Sequence, residues 1–591
     1  MLPSCPRPCG AGVVKMKEWA RKITDDEVRE RYVSEVVERF KDKIMRVERN
    51  ASNQWIIEIN REDLPEVVGY IINHPEWKET QLSTMVGADE RPRRGKFSMI
   101  YWISINGESG DIFIGIKTYI PEDDPKFPAV TPVHPGANWY EREVKDLLGL
   151  VPEGHPDPRR LVLPDDWPEG VYPLRKDFHY TDSPKRDFTD ETKYPYKEPP
   201  KGTAVFPLGP YHVALDEPGH FRLYVKGEEI VDVDYRLFYQ HRGIEKIGEN
   251  RLTYDQVNFI AERICGICGT AHALAYAQAI EAAGEIDVPE RAEYIRTVMA
   301  EIERLHSHLL NLGLACHDVG FDKGFMDAFR LREHVMWLAE RLTGNRKTYG
   351  MVVIGGVRRD FLEYRRSMIE RVIRELKENF QKWVDQTLST KTFVKRCEGI
   401  GILSYKDAKR WSTVGPFARG SGRDLDARRD HPFAAYKYLD FKVPIYKEGD
   451  VLARCLVRAE EILESIWIIE QALDEIPGGD ILAEWREIPP YREAVGFTEA
   501  PRGEDVHYVI TGEGNRLYRW RIRASTYNNF PALPDAMRGN TVADAVLIIA
   551  SMDPCYSCTE RVQVVDAKSG KVRVLTEKEL TELSRKASRG V

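Results

Sequence analysis

The chain is expected to hold two domains, an N-terminal α+β domain followed by a larger, mainly α-helical bundle. Three observations predict this. The 591 residues exceed what one hydrophobic core usually accommodates. Short alternating apolar runs such as Trp55-Ile-Ile-Glu-Ile and Phe97-Ser-Met-Ile-Tyr-Trp-Ile-Ser-Ile crowd the first part, whereas long segments with apolar residues at helical spacing fill the rest. Between them lies a Pro-, Asp- and Lys-rich interval, 177–202, with turn residues and no apolar periodicity.

Taken in order, residues 1–16 have Cys5 and Cys9 among prolines and glycines, show no periodicity, and are expected to form a disordered leader without a function. Residues 17–176 combine helical segments (Asp25 to Phe40) with the alternating runs, which reads as helices packed on a small sheet. Residues 177–202 are the linker. Residues 203–561 open with strand-like runs, His212 to Leu223 and Glu228 to Tyr235, and continue as helices over Pro289 to Cys316, Asp327 to Thr343, Asp360 to Leu388 and Val451 to Ile476. A tail, 562–591, follows. Bundles of this kind build metal sites in their cores from facing helices.

Lys+Arg (86) and Asp+Glu (94) nearly cancel to a formal net charge of -8, which offers no field to gather nucleic acid. The longest apolar stretches, such as Ala543 to Met552, fall short of the roughly 20 residues that cross a bilayer. The expected location is therefore the cytoplasmic side of a membrane, peripheral, held by partners. Nine cysteines are too few for a disulfide framework in a chain this long, and four form two Cys-x-x-Cys pairs, which points to metal or redox chemistry of reduced thiols.

Those pairs are the sharpest feature: Glu262-Arg-Ile-Cys-Gly-Ile-Cys-Gly269, answered by Asp553-Pro-Cys-Tyr-Ser-Cys-Thr-Glu-Arg561. Thiolates are soft donors for zinc, iron–sulfur clusters, nickel or copper, and the spacing alone fits a tetrahedral zinc best. The apolar surroundings and the long separation argue against a small zinc module. Cys316, Cys397 and Cys455 stand singly and read as small buried hydrophobes. His212 and His272 read as hydrogen-bonded core histidines outside the metal shell. Arg419-Gly-Ser-Gly422 lacks the setting of a phosphate loop and reads as a turn.

The segments Arg242-Gly-Ile-Glu-Lys246, Glu262 to Gly269, Glu499-Ala-Pro-Arg-Gly-Glu504 and Asp553 to Cys558 resemble, in that order, the motifs of nickel–iron hydrogenase large subunits, and the Cys-Thr-Glu-Arg ending resembles the energy-converting, formate-hydrogenlyase branch. The resemblance implies a hydrogenase-type helical domain and a nickel–iron centre whose iron carries two cyanides and one carbonyl. It makes Cys265 and Cys555 terminal nickel ligands and Cys268 and Cys558 bridging ones. It makes Glu245 a proton-relay carboxylate, semi-buried with a raised pKa, where the plainer reading is a salt bridge with Arg242 or Lys246. Arg502 is placed over the open side of the metals, where the plainer reading is a turn arginine.

In the first domain, Glu141-Arg-Glu-Val-Lys-Asp-Leu-Leu-Gly149, Gly154-His-Pro-Asp-Pro-Arg-Arg160 and Tyr172-Pro-Leu-Arg-Lys176 are similar to the signature of the 30-kDa subunit of complex I; having neither nucleophile nor cluster, the segment is assigned to docking against partner subunits. The implied partners are an iron–sulfur small subunit, ferredoxin-like electron-transfer subunits, integral membrane subunits, formate dehydrogenase and a maturation protease. No iron–sulfur cluster is expected in this chain, for lack of a spare cysteine set. Arg561 departs from the histidine many hydrogenases carry there, which puts a histidine-linked magnesium in doubt. The tail after it resembles an extension removed on maturation, or else is a permanent helix. Two other readings stand beside the hydrogenase: the complex I 49-kDa type of quinone-module subunit, which has the same fold without the metal ligands, and a zinc-stabilised scaffold.

Overall fold

The computed structural model describes residues 16–106, 111–179, 181, 182, 184, 194–210, 218–239, 241–361, 363–555, 564, 565, 572 and 573. Cys5, Cys9, His212, Cys558, Arg561 and nearly all of the tail lie outside the described residues.

The first domain is built on a five-stranded sheet of β1 (Ile44–Ala51), β2 (Gln54–Ile59), β3 (Glu79–Asp89), β4 (Lys96–Asn106) and β5 (Ile112–Pro121), in the order β1-β2-β5-β4-β3. Only the β2–β5 pair is parallel. The central strands are buried along most of their length, because helices α1 (Asp26–Arg39), α2 (Leu64–Ile72) and α3 (Asn138–Leu148) and the second domain cover them. Asp25 starts α1 by accepting the Glu27 amide, and Pro65 opens the first turn of α2.

The second domain opens with a three-stranded sheet, β6 (Ala204–Leu208), β7 (His220–Lys226) and β8 (Glu229–Arg236), followed by α4 (Ile244–Asn250) and α5 (Gly269–Gly284). Its bundle consists of α6 (Glu290–Asp318), α7 (Asp322–Thr343), α8 (Glu363–Thr387) and α9 (Val451–Glu475), with α6 packed against both α7 and α9. The α7 helix begins five residues before the expected Asp327, with polar Asp322 and Lys323 in its first turn. A second antiparallel sheet, β9 (Glu493–Ala500), β10 (Gly503–Thr511) and β11 (Leu517–Arg523), was not expected, and α5 lies across it. Gly496 on β9 permits that approach, since a Cβ there would sit 2.0 Å from the Ala275 carbonyl oxygen of α5. Helix α10 (Ala545–Met552) leads into the last cysteine segment.

The two domains share one continuous apolar core. Gln54 on β2 uses both ends of its amide on the backbone of Val495, donating at 2.8 Å and accepting at 2.9 Å. Gln81 donates to Glu504 at 2.9 Å, Arg519 to the Gly87 carbonyl at 2.8 Å, and Arg423 to Glu79 at 2.9 Å. The signature helix α3 is buried in this junction, against side chains of the second domain. Glu141 accepts from Tyr101, Val130 and Thr131, and Asp146 accepts three successive amides from Leu161 to Leu163.

Candidate metal centre

The first thiol pair sits in the turn that enters α5. Glu303, from the middle of α6, accepts the Thr270 and Ala271 amides at 2.7 and 2.9 Å and the Thr348 hydroxyl at 3.0 Å, so a buried carboxylate takes the first free amides of α5 and fixes the turn before it. Tyr349 donates to the Cys265 carbonyl at 2.8 Å. The turn requires glycine at position 269, since a Cβ there would lie 2.1 Å from the Tyr349 ring and 2.6 Å from the Glu262 carbonyl. The Cys265 sulfur accepts the Ile267 and Cys268 amides at 3.3 Å each, a small cradle that favours its thiolate.

Cys555 arrives from the opposite end of the domain. Helix α10 stops at Asp553, whose φ of 63° turns the chain back, and the Cys555 amide donates to Thr526 Oγ1 at 3.0 Å. Its sulfur then lies 3.2 Å from that of Cys265, with no disulfide formed. Cys265, Cys268 and Cys555 form one buried cluster with Ala271 and Ala500. Contact with Cys265 and Cys555, together with burial, pushes the Cys268 thiol well above its ordinary range; at Cys265 the contact with Cys268 lowers the value, and the contact with Cys555 and burial outweigh it. Three sulfurs this close, buried together, cannot all be thiolates without more positive charge than the nearby Arg502 supplies. A soft metal ion is the occupant this donor set fits.

Arg502 stands over the cluster. It donates from Nε to the Asp553 carbonyl at 2.9 Å, from Nη2 to the Asp553 carboxylate at 2.7 Å, and from Nη1 to Ser307 at 3.2 Å. Burial disfavours its charge, but Asp553 and the three thiols hold it protonated. The end of β9 is held by Arg304, which donates to the carbonyls of Glu499 (2.6 Å) and Ala500 (3.3 Å). Arg304 belongs to a fully buried ionic group with Glu301, Arg419, Asp426, Arg428, Glu461 and Glu499.

Cys268, His272 and Asp505 bring ligand-type atoms within 4.8 Å of one another. His272 Nδ1 is 3.1 Å from His507 Nε2, and among the described residues its Nε2 has no hydrogen-bond partner. His272 is buried and hydrogen-bonded, as a core histidine is, and it also lies beside the Cys268 thiol that it follows in the chain. The signal was in the sequence: Cys268 and His272 are four apart at a helix start, one above the other on one face.

Glu245 departs from expectation. It is largely buried as foreseen, and burial pushes its carboxyl up, but the guanidiniums of Arg519 and Arg521 prevail and hold it below the usual range. Its partners are Arg519 Nη1 at 2.8 Å, Arg521 Nη1 at 3.2 Å and the Ile522 amide at 3.0 Å. The anticipated alternatives are otherwise engaged: Arg242 donates to the carbonyls of Arg263 and Ile264, and Lys246 to that of Arg175. Cys316, Cys397 and Cys455 are buried away from the cluster, as expected.

With this geometry in place the relatives are informative. The chain is 45% identical over 566 residues to formate hydrogenlyase subunit 5 of Escherichia coli (strain K12), covering 95% of this chain and 98% of the relative. It is 45% identical over 544 residues to hydrogenase-4 component G of the same organism, covering 92% and 94%. The chain belongs to the nickel-dependent hydrogenases. The family "Nickel-dependent hydrogenase" matches at residues 242–313, the 49-kDa subunit of respiratory-chain NADH dehydrogenase at 318–496 and 482–561, and its 30-kDa subunit at 57–184. Among solved structures, the membrane-bound sulfane sulfur reductase, an archaeal respiratory membrane complex, matches with 31% identity and a TM-score of 0.58, covering 61% of this chain and 99% of that one. A nickel-dependent hydrogenase of this branch has a nickel–iron centre, and the buried thiols suit it. No helix among the described residues is long and apolar enough to cross a membrane, in keeping with peripheral attachment to a membrane-bound complex.

Proposed function

We propose that this chain is the catalytic large subunit of a membrane-associated nickel–iron hydrogenase that forms and oxidises dihydrogen reversibly, and that Cys265, Cys268, Cys555 and Cys558 hold its metals. The observation that carries the reading is the convergence of three buried thiols from chain positions 290 residues apart, with two sulfurs at 3.2 Å. When bound, the nickel and the iron with its cyanide and carbonyl ligands supply the site at which dihydrogen is split or formed. The chain's own part is to hold that group in a dry pocket, to fix Arg502 over it through Asp553 and Ser307, and to bring protons to a ligand thiolate by way of Glu245.

Electrons pass through iron–sulfur clusters of a partner small subunit, fed by ferredoxin-like subunits and, in the formate branch, by formate dehydrogenase, with integral membrane subunits anchoring the assembly at the cytoplasmic face. A maturation protease acts on the tail after Arg561. The domains divide at 177–202, where the described residues form no helix or strand. The quinone-module reading is not favoured, because it has no use for a cluster of buried thiols.

The test is metal analysis of the anaerobically purified complex with infrared spectroscopy of metal-bound carbonyl and cyanide, repeated on Cys558→Ser. Nickel and iron with diatomic bands that vanish in the variant are expected; zinc alone, or no metal, overturns the reading.

A further inference from the structure

A cavity of about 70 Å³ opens at the junction of the two domains. Its walls include Glu143, Arg242, Glu245, Ile264, Arg521 and Tyr527. Ile264 precedes the ligand-type Cys265, and Ala524, also in the wall, lies two residues before Thr526, which binds the Cys555 amide. On this side the cavity wall is thus one residue along the chain from a thiol of the cluster. On the other, His241 and Arg242 are exposed and give it a mouth to solvent.

Two carboxylates from different domains meet there. Glu143, on α3 of the N-terminal domain, lies 2.5 Å from Arg521 Nη1, and Glu245, on α4, lies 3.2 Å from the same nitrogen. Tyr527 donates its hydroxyl to the second oxygen of Glu143. Arg521 is only 5% exposed in its side chain, and its guanidinium lies 5.0 Å from the centroid of the Tyr527 ring. The volume suits a few waters. The other charged or titratable groups packed around the pair are Tyr140 on α3, Lys246 and Glu249 on α4, Arg519 on β11, and Lys176, which pairs with Glu249 at 2.7 Å.

We propose that Glu143 is the partner carboxyl of Glu245 in proton delivery to the metal centre, the two exchanging one proton across this cavity. In the direction of dihydrogen formation, the proton leaves a carboxyl oxygen of Glu143, crosses by cavity water and binds a carboxylate oxygen of Glu245. No electron moves, and the Glu143 carboxylate left behind takes a new proton from solvent through the mouth at His241 and Arg242. The asymmetry of the pair rests the proton on Glu143 and makes its transfer to Glu245 the uphill step, drawn forward when Glu245 passes its proton on. Burial pushes Glu143 up and the neighbouring Glu245 charge adds to this against Arg521, whereas Glu245, shared by Arg519 and Arg521, is held down. Part of the motif similar to the 30-kDa subunit then serves the chemistry of the second domain directly. This inference rests on the hydrogenase reading, with Glu245 as its proton carrier.

The test is Glu143→Gln, which keeps size and hydrogen-bonding capacity and removes the exchangeable proton, compared with Glu143→Asp in the full complex. Exchange between deuterium gas and water should fall about a hundredfold in Glu143→Gln while the metal-bound carbonyl and cyanide bands stay unchanged, and Glu143→Asp should recover part of the loss. A second readout needs no metal: in the full-length chain from nickel-starved cells, the carbonyl stretch of a protonated carboxyl should be lost in Glu143→Gln and shifted in Glu143→Asp, leaving the bands of Glu141 and Glu303 in place. Unchanged exchange in Glu143→Gln, equal losses in both variants, or a carboxyl stretch indifferent to position 143 would overturn the proposal. Should Glu143→Gln fail to assemble, the Glu143→Asp stretch decides. Absence of diatomic bands in the wild type would sink the hydrogenase reading, and the carboxyl stretch would then still report whether Glu143 holds a proton.

Discussion

Arg502 and Asp553 are locked together by two hydrogen bonds, guanidinium to carboxylate at 2.7 Å and guanidinium to carbonyl at 2.9 Å. The carbonyl bond ties the arginine to the residue at which α10 ends and the chain turns towards Cys555. The position of the guanidinium and the course of the second cysteine segment are therefore set by one contact.

Arg502→Lys is expected to lower hydrogenase turnover about a hundredfold at nearly unchanged nickel content. A lysine ammonium cannot satisfy the Asp553 carbonyl, its carboxylate and Ser307 in the planar fork that arginine supplies. Dye-linked hydrogen assays beside metal analysis check this; loss of nickel in step with activity would show that Arg502 is needed to build the site.

Cys555→Ser should abolish nickel retention, because a serine hydroxyl is a hard, weakly acidic donor in a pocket built for soft ones. It also removes the sulfur 3.2 Å from Cys265, so the Cys265 thiol of the metal-free variant should ionise at lower pH than in the wild type. Thiolate absorbance during a pH titration of the metal-free chain measures this.

Burial pushes the Glu303 carboxyl from 4.5 up to about 7 despite the hydrogen bonds it accepts from Thr270, Ala271 and Thr348. The folded chain therefore binds a proton more tightly than the unfolded one. This contribution to stability is fully present below about pH 4.5 and is lost as pH rises through about 7, amounting to about 3 kcal/mol. In Glu303→Gln that part of the pH dependence should disappear, as measured by denaturant unfolding of the metal-free chain between pH 5 and about pH 8.

Gly269→Ala is expected to destabilise the fold by about 1–3 kcal/mol and to reduce metal loading, since the new methyl group meets the Tyr349 ring and the fixed Glu262 carbonyl. Pairing it with Tyr349→Ala should relieve the ring clash and leave the backbone one, so recovery in a thermal melt should be partial.

Much of this was legible in the residues, for reasons that can be named. Helices α6 and α9 carry apolar residues at helical spacing and end within two residues of where that spacing predicts. The sheet β9 to β11 was not expected, although in β11 Arg519, Arg521 and Arg523 alternate with Tyr518, Trp520 and Ile522 as in a strand with one polar face, because that face is buried and not solvated. Those side chains are buried through partners hundreds of residues away, such as Gly87 for Arg519 and Glu143 for Arg521. The partners of Glu245 escaped for the same reason. Spacing displays neighbours at three and four residues and is silent about strands that arrive from the far end of a domain. The thiol turn was legible because its chemistry is local, from the Cys-x-x-Cys spacing to the glycine that follows it.

The backbone clamp of Gln54 on Val495 and the buried pairs of Gln81 with Glu504 and Arg423 with Glu79 have a consequence for what the 177–202 interval does. With the faces already complementary, the tether has little affinity to add; it fixes stoichiometry, delivering one N-terminal half for every catalytic half as the chain is made. A chain nicked in that interval should stay whole through gel filtration, its halves parting only when the shared core melts.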